Sequence, residues 1–179
     1  MGPYPGIVRV PANDLCSSKL SSEGVLLVSD GATGRCLCGN LQFQLRGKPL
    51  WVAHCHCDSC RRNIGSALAT FVGYKKEQLA YTRGERSFFE SSPGVQRGFC
   101  ADCGTPMTYE ADRCPDEVHL YVSTLDNPGK FRPQVHVFFA ERIPWMDIVD
   151  DLPRYEGLVP DAEPVSWGPL HAHSRAGKP

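Results

Sequence analysis

The chain has 179 residues, with 19 Lys plus Arg against 20 Asp plus Glu and a formal net charge of −1. That length suffices for one domain that buries roughly 70% of its unfolded surface, so bound metal would supplement a hydrophobic core and not replace one. The balanced charge, without a run of one sign, predicts neither a nucleic-acid partner nor an anionic membrane surface.

Residues 1–30 are rich in Pro, Ser and Gly around one apolar patch, Val25 to Val28, and are expected to form an N-terminal arm. Met1 to Pro11 has no apolar h-region, and no stretch reaches the roughly 20 apolar residues of a spanning helix. A soluble, unsecreted protein is expected. Gly6 stands where a myristoylation signal wants Ser or Thr, which argues against that modification. Short β-type runs follow: Leu41 to Leu45 alternates apolar and polar, Leu68 to Tyr74 is apolar and aromatic, and Val118 to Val122 and Val135 to Phe139 repeat the pattern. Gly and Pro interrupt most helical windows, leaving Lys75 to Leu79 and Trp145 to Val149 room for a turn or two. The tail, 157–179, is proline-rich and expected to be extended or mobile. Residues 31–156 therefore form the predicted domain, mainly β, with small antiparallel sheets and short helices.

Seven of the nine cysteines fall into three groups: Cys36-x-Cys38, Cys55-x-Cys57-x-x-Cys60 and Cys100-x-x-Cys103. Thiols one or two residues apart fit reduced metal-binding thiolates better than a disulfide framework, which points to the cytosol. Cys16 and Cys114 stand apart and are expected to be ordinary free thiols. On a strand, Cys36 and Cys38 would share a face, and Gly39 would permit the turn after them. Cys100 to Gly104 has the form of a metal knuckle, with Gly104 suited to positive φ. The two pairs complete a four-thiolate set, as in a closed structural zinc site. Cys55, Cys57 and Cys60 supply three thiolates and leave a position for water or substrate, as in a catalytic one. The competing partition, a zinc ribbon of Cys57-x-x-Cys60 with Cys100-x-x-Cys103, requires an intervening segment well beyond the usual roughly 15 to 20 residues.

Side-chain alternation puts His54 and His56 opposite the cysteines, where they flank the metal or pack. His119 and His136, inside β runs, are expected in the core or a groove, and Trp145, Phe138 and Phe139 in the core or a pocket wall. Asp58 and Glu110 are possible proton carriers without the signature of a dedicated base.

Gly34-Arg35-Cys36-Leu37-Cys38-Gly39, His54-Cys55-His56-Cys57-Asp58-Ser59-Cys60-Arg61-Arg62 with Gly65-Ser66, and Phe99-Cys100-Ala101-Asp102-Cys103-Gly104-Thr105-Pro106 closely resemble the family of glutathione-dependent formaldehyde-activating enzymes. Ser123 to Pro128, His136 and Ile143-Pro144-Trp145 are also similar, so the resemblance spans about residues 33–156. It implies a β-tent arrangement of small sheets with two Zn²⁺. Cys36, Cys38, Cys100 and Cys103 would hold the structural ion and Cys55, Cys57 and Cys60 the catalytic one. It also implies the joining of formaldehyde to glutathione as S-(hydroxymethyl)glutathione, a carbon–sulfur lyase reaction run in reverse.

Three thiolates leave zinc with a net charge of about minus one and a preference for soft sulfur, so the glutathione thiol is a fitting fourth ligand. Arg61 is the candidate for a glutathione carboxylate, with Gly65 and Ser66 offering backbone amides. The partners expected are therefore a small-molecule thiol and an aldehyde or thioether. Two alternatives stand beside this: the same zinc cleaving or dehydrating a bulkier metabolite, and a non-catalytic protein-binding module, since centromere protein V carries a similar domain. An apolar, solvent-reachable pocket at the three-cysteine group would favour an enzyme.

Overall fold

The computed structural model describes residues 31–146 and 148–158. The arm, residues 1–30, and all of the tail beyond Leu158 lie outside them. Ten strands are present among the described residues: β1 (Ala32–Arg35), β2 (Gln42–Leu45), β3 (Trp51–Cys55), β4 (Ala69–Lys75), β5 (Leu79–Arg83), β6 (Ser87–Ser92), β7 (Val95–Phe99), β8 (Pro106–Ala111), β9 (Glu117–Tyr121) and β10 (Val135–Val137). One α-helix, α1 (Asp58–Ile64), and short 3₁₀ turns complete the described chain. The protein is mainly β, as its alternating runs predict. No helix among the described residues is long and apolar enough to cross a membrane.

The strands form a three-stranded sheet, β1-β2-β5, and a seven-stranded sheet, β10-β3-β4-β9-β8-β7-β6. One pair of the seven-stranded sheet, β10 with β3, is parallel, in register Val137 to Cys55. The rest of its ladder is antiparallel.

Alternation gives the large sheet two apolar faces, because successive side chains on a strand point to opposite sides. Val52, Val72, Tyr74, Val118 and Leu120 join Phe43 and Leu45 of β2 in one core cluster, the seam between the sheets. Trp51, Ala53, Cys55, Phe71, Tyr109, Tyr121, Val135 and Val137 form a second cluster on the other face. Gly73 makes that face possible where β3 and β4 pair: a Cβ there would collide with the Trp51 indole lying across it.

Three local expectations are corrected. Cys36 and Cys38 follow β1 on a turn, not on a strand. Trp145 to Val149 forms no helix among its described residues, whereas Lys76–Gln78 is a single 3₁₀ turn inside the predicted window. The segment after Cys57, outside both predicted helical windows, is the start of α1. Past β10, residues 148–158 run along its outer edge. His136 N–H donates to the Pro153 carbonyl (2.8 Å), Tyr155 N–H to the His136 carbonyl (2.9 Å) and Phe138 N–H to the Gly157 carbonyl (2.7 Å).

Candidate metal centres

The first centre joins two turns far apart in sequence. Cys36 N–H donates to the Leu41 carbonyl and Gly39 N–H to the Cys36 carbonyl, a turn closed by Gly39 at φ +77°. Cys100 N–H donates to the Thr105 carbonyl and Gly104 N–H to the Cys100 carbonyl, with Gly104 at φ +72°. Both glycines thus occupy the left-handed region that favours a residue without Cβ. The sulfurs of Cys36, Cys38, Cys100 and Cys103 all lie within 4.8 Å of one another. Leu37 N–H donates to Thr105 Oγ1 (3.1 Å) and Asn40 Nδ2 to Asp102 Oδ2 (2.9 Å), fastening turn to turn. Leu41 N–H points at Cys36 Sγ, 3.3 Å away. Cys103 is held down to about 6, first by its hydrogen bond with the Thr105 hydroxyl. Four converging sulfurs match the donor set of a closed zinc site.

The second centre is local. β3 delivers Cys55, the backbone stays extended through Cys57 (φ −60°, ψ 142°), and Cys57 Sγ then caps α1 by accepting the Cys60 N–H at 3.3 Å. Cys55, Cys57 and Cys60 converge within 4.8 Å, and no fourth donor from the described residues joins them. Without a cation the three thiols cannot all ionise. Cys60 is drawn down to about 3, first by hydrogen bonds from Cys55 and Cys57 and then by Arg97. Cys55 is pushed well above the ordinary thiol value by the same bonds and by burial. Cys57, although its bond with Cys55 lowers it, is raised to about 11 by Cys60 and burial. A thiophilic divalent ion reverses this by stabilising all three thiolates, so the donor set fits zinc. Of the two partitions open in the sequence, the structure forms the four-plus-three grouping; the ribbon's two C-x-x-C pairs fall in different clusters.

The three cysteines sit in the wall of a cavity of about 260 Å³ on the second face of the large sheet, whose lining includes Trp51, Phe71, Tyr109, His119 and Phe138. That volume is near the lower end of the roughly 300–1,000 Å³ typical of small-molecule sites. Two arginines that the sequence did not single out reach it, Arg97 and Arg113. Both guanidinium groups lie over the Tyr109 ring, at 5.1 and 5.7 Å from its centroid, and Arg113 Nη2 donates to the Tyr109 hydroxyl at 2.7 Å. Arg97 follows Val95 with strand parity, which was the available signal that β7 turns it inward.

The predicted substrate residues lie elsewhere. Arg61 donates to the His56 carbonyl (2.9 Å), Asp58 Oδ1 (3.3 Å) and the Glu141 carbonyl (3.2 Å). With Gly65, Ser66 and Trp145 it borders a separate, shallow hollow behind α1. Gly65 is the left-handed C-cap of that helix. Asp58 is engaged by Arg62 at 2.6 Å, and Glu110 by Arg86 (2.9 Å) and Lys76 (3.2 Å), so neither carboxylate is among the groups lining the cavity. Trp145 is exposed, contrary to expectation, while Phe138 lines the cavity and Phe139 is buried.

Neither His54 nor His56 joins the cysteines. His56 is buried and hydrogen-bonded through Nε2 to His136 Nδ1 (2.8 Å), and His136 Nε2 meets Asp150 Oδ2 at 3.0 Å. His136 and His119 are buried, as their places in β runs predict. Cys114 is buried and disulfide-bonded, a correction to the free thiol expected; Cys16 lies outside the described residues.

A family profile described as glutathione-dependent formaldehyde-activating enzyme matches residues 31–141, which hold both cysteine centres. The chain belongs to that family. A Halomonas elongata relative, provisionally named as a glutathione-dependent formaldehyde-activating enzyme, is 26% identical over 156 residues, covering 80% of this chain and 95% of its own. A crystal structure of a Rhodobacter sphaeroides protein overlays with a TM-score of 0.45 at 23% identity, covering 52% of this chain and 87% of that one. Within the glutathione-dependent formaldehyde-activating frame, the strap of residues 148–158 over β10 lies beyond the matched segment.

Proposed function

We propose that the protein is a zinc-dependent carbon–sulfur lyase of glutathione adducts, joining glutathione to formaldehyde as S-(hydroxymethyl)glutathione and reversing that step. The observation that carries this reading is the inequality of the two centres: four sulfurs enclose one, while three sulfurs bordering a cavity leave the other incomplete. A protein-binding module has no use for such a cavity, and the family membership supports glutathione and formaldehyde as the reactants.

Cys36, Cys38, Cys100 and Cys103 would hold a structural zinc, and Cys55, Cys57 and Cys60 a second. There the ion's chemistry is to keep a substrate thiol ionised near neutral pH and to stabilise the thiolate as a leaving group. The aromatic wall of Trp51, Phe71 and Tyr109 excludes water from the reacting carbon. Arg113 presents a guanidinium to a carboxylate of the tripeptide, a role its fork geometry suits. In the forward direction sulfur bonds to the aldehyde carbon, the carbonyl electron pair moves to oxygen, and the proton given up by the thiol ends on that oxygen. A reducing compartment such as the cytosol suits these thiolates. The aromatic wall also favours a second reading, a carbonyl partner larger than formaldehyde.

Metal analysis of purified protein is expected to return two zincs per chain, and exchange spectroscopy with glutathione and labelled formaldehyde to show faster interconversion than buffer. Cys57→Ser should abolish that acceleration while the far-ultraviolet spectrum stays folded. Exchange no faster than buffer would remove formaldehyde, and an aromatic aldehyde in the same assay tests the second reading.

A further inference from the structure

Arg97 is a cation buried without a carboxylate. It is 6% exposed, and no Asp or Glu among the described residues forms an ion pair with it. Its Nε donates to Ser91 Oγ (3.0 Å) and Nη1 to the Tyr121 hydroxyl (3.2 Å), both neutral acceptors. Nη1 and Nη2 each stand 3.9 Å from Cys60 Sγ. Asn63 of α1 donates to the same Tyr121 hydroxyl at 2.8 Å, so the helix that carries Cys60 and the strand that carries Arg97 share one hydrogen-bonded bridge. A buried guanidinium is costly unless an anion compensates it. The anion that touches this one is a cysteine sulfur of the three-thiolate centre.

The compensation runs in both directions. Three thiolates around a divalent ion carry a net charge of about minus one, and a fourth, exogenous thiolate brings about minus two. Inside a buried wall each uncompensated charge opposes the next. We infer that Arg97 is the charge-balancing residue of the three-cysteine centre: its guanidinium, forked against Cys60, brings the three-thiolate site with its divalent ion to neutrality, so that an anionic thiolate entering as fourth ligand leaves a net charge of only about minus one. This rests on the reading that a thiol enters that position, and it adds a specificity rule. The site prefers an anionic sulfur ligand over a neutral nitrogen ligand because of Arg97.

Cobalt-substituted protein tests the inference, since sulfur-to-cobalt charge-transfer absorption reports what occupies the fourth position. Glutathione and imidazole are titrated separately into the parent, Arg97→Gln, Arg97→Lys and Ser91→Asp. Ser91 is exposed, so its carboxylate variant neutralises Arg97 in place without opening the core, and it serves if Arg97→Gln fails to fold. Arg97→Gln and Ser91→Asp are expected to shift the glutathione-to-imidazole preference by about tenfold or more toward imidazole, and Arg97→Lys by about threefold or less. Competition with a chelator should show zinc at the three-cysteine centre about tenfold weaker in the two neutralised proteins. An unchanged preference together with unchanged zinc affinity would overturn the inference, as would a lysine variant no better than glutamine. Should glutathione leave the parent spectrum unaltered, the proposed lyase reading fails, and the chelator competition alone decides the role of Arg97.

Discussion

At the scale of single residues, the neutral histidines behind the cysteines set the protein's acid tolerance. Burial, reinforced by His136, pushes His54 down to about 4, and burial pushes His56 down to about 3. Burial also lowers His136, although the Asp150 carboxylate opposes it. In the unfolded chain each titrates near about 6.5, so between about 6.5 and 4 the unfolded chain binds more protons than the folded one. Stability is therefore complete above about pH 6.5 and declines as acid is added. For His54, which is only part-buried, solvent screening moderates that loss. Thermal unfolding followed from about pH 7 to 5 should show a falling midpoint, with a shallower slope in His54→Asn. Zinc release, read with a chromogenic chelator in the same samples, separates ligand loss from histidine protonation, and a flat midpoint with zinc retained would refute the linkage.

At the scale of elements, Gly73 is where the cavity wall depends on a missing side chain. Gly73→Ala drives a methyl into the Trp51 indole, and overpacking of this kind costs about 1–3 kcal/mol. The expected result is a lower unfolding midpoint and an altered tryptophan emission, because Trp51 must leave the cavity wall; unchanged emission would mean that the indole does not depend on Gly73. The same pairing shows what was legible in the chain. β2 follows from apolar alternation because it packs one face, and β4, β9 and β10 from apolar-rich runs because they are buried on both faces. The helix α1 was hidden because only Cys60 of its seven residues is buried, which leaves no apolar period to read, and because its cap is a cysteine and not Ser, Thr, Asp or Asn. β6 was equally obscure: it is exposed along nearly its whole length, and Phe88 and Phe89 stand in solvent. The three local cysteine clusters were legible from spacing, since donors two or three positions apart have few ways to converge, but of the two partitions then open only tertiary structure brings Cys36 and Cys38 to Cys100 and Cys103. Arg113 was not legible, because it reaches the site through tertiary packing, while Arg61, beside the last cysteine, borders the hollow behind α1.

Across the whole molecule, the two cysteine centres differ in what they join. Cys36 and Cys38 sit in the turn between β1 and β2 of the small sheet, and Cys100 and Cys103 in the turn between β7 and β8 of the large one. Cys36 and Cys100 also belong to the core cluster where the sheets meet. A metal held there would cross-link two sheets through donors separated by 62 residues, as between Cys38 and Cys100. The other three cysteines all lie between positions 55 and 60, and β3 and α1 remain tied without metal by the Cys57 cap and the Arg61 bond to the His56 carbonyl. Structural zinc contributes about 10–16 kcal/mol in small peptides, comparable with the roughly 5–15 kcal/mol that stabilises a domain. Stripping zinc should therefore proceed in two separable stages. A chelator that enters the cavity removes the ion at Cys55, Cys57 and Cys60 first, and exchange activity disappears while circular dichroism is retained. The second ion leaves more slowly, and the β-sheet signal collapses with it. Zinc release, activity and circular dichroism recorded together decide the matter: unfolding that coincides with the first zinc would assign the architectural role to the wrong centre, because the sheet-to-sheet link would then not be what the four cysteines supply.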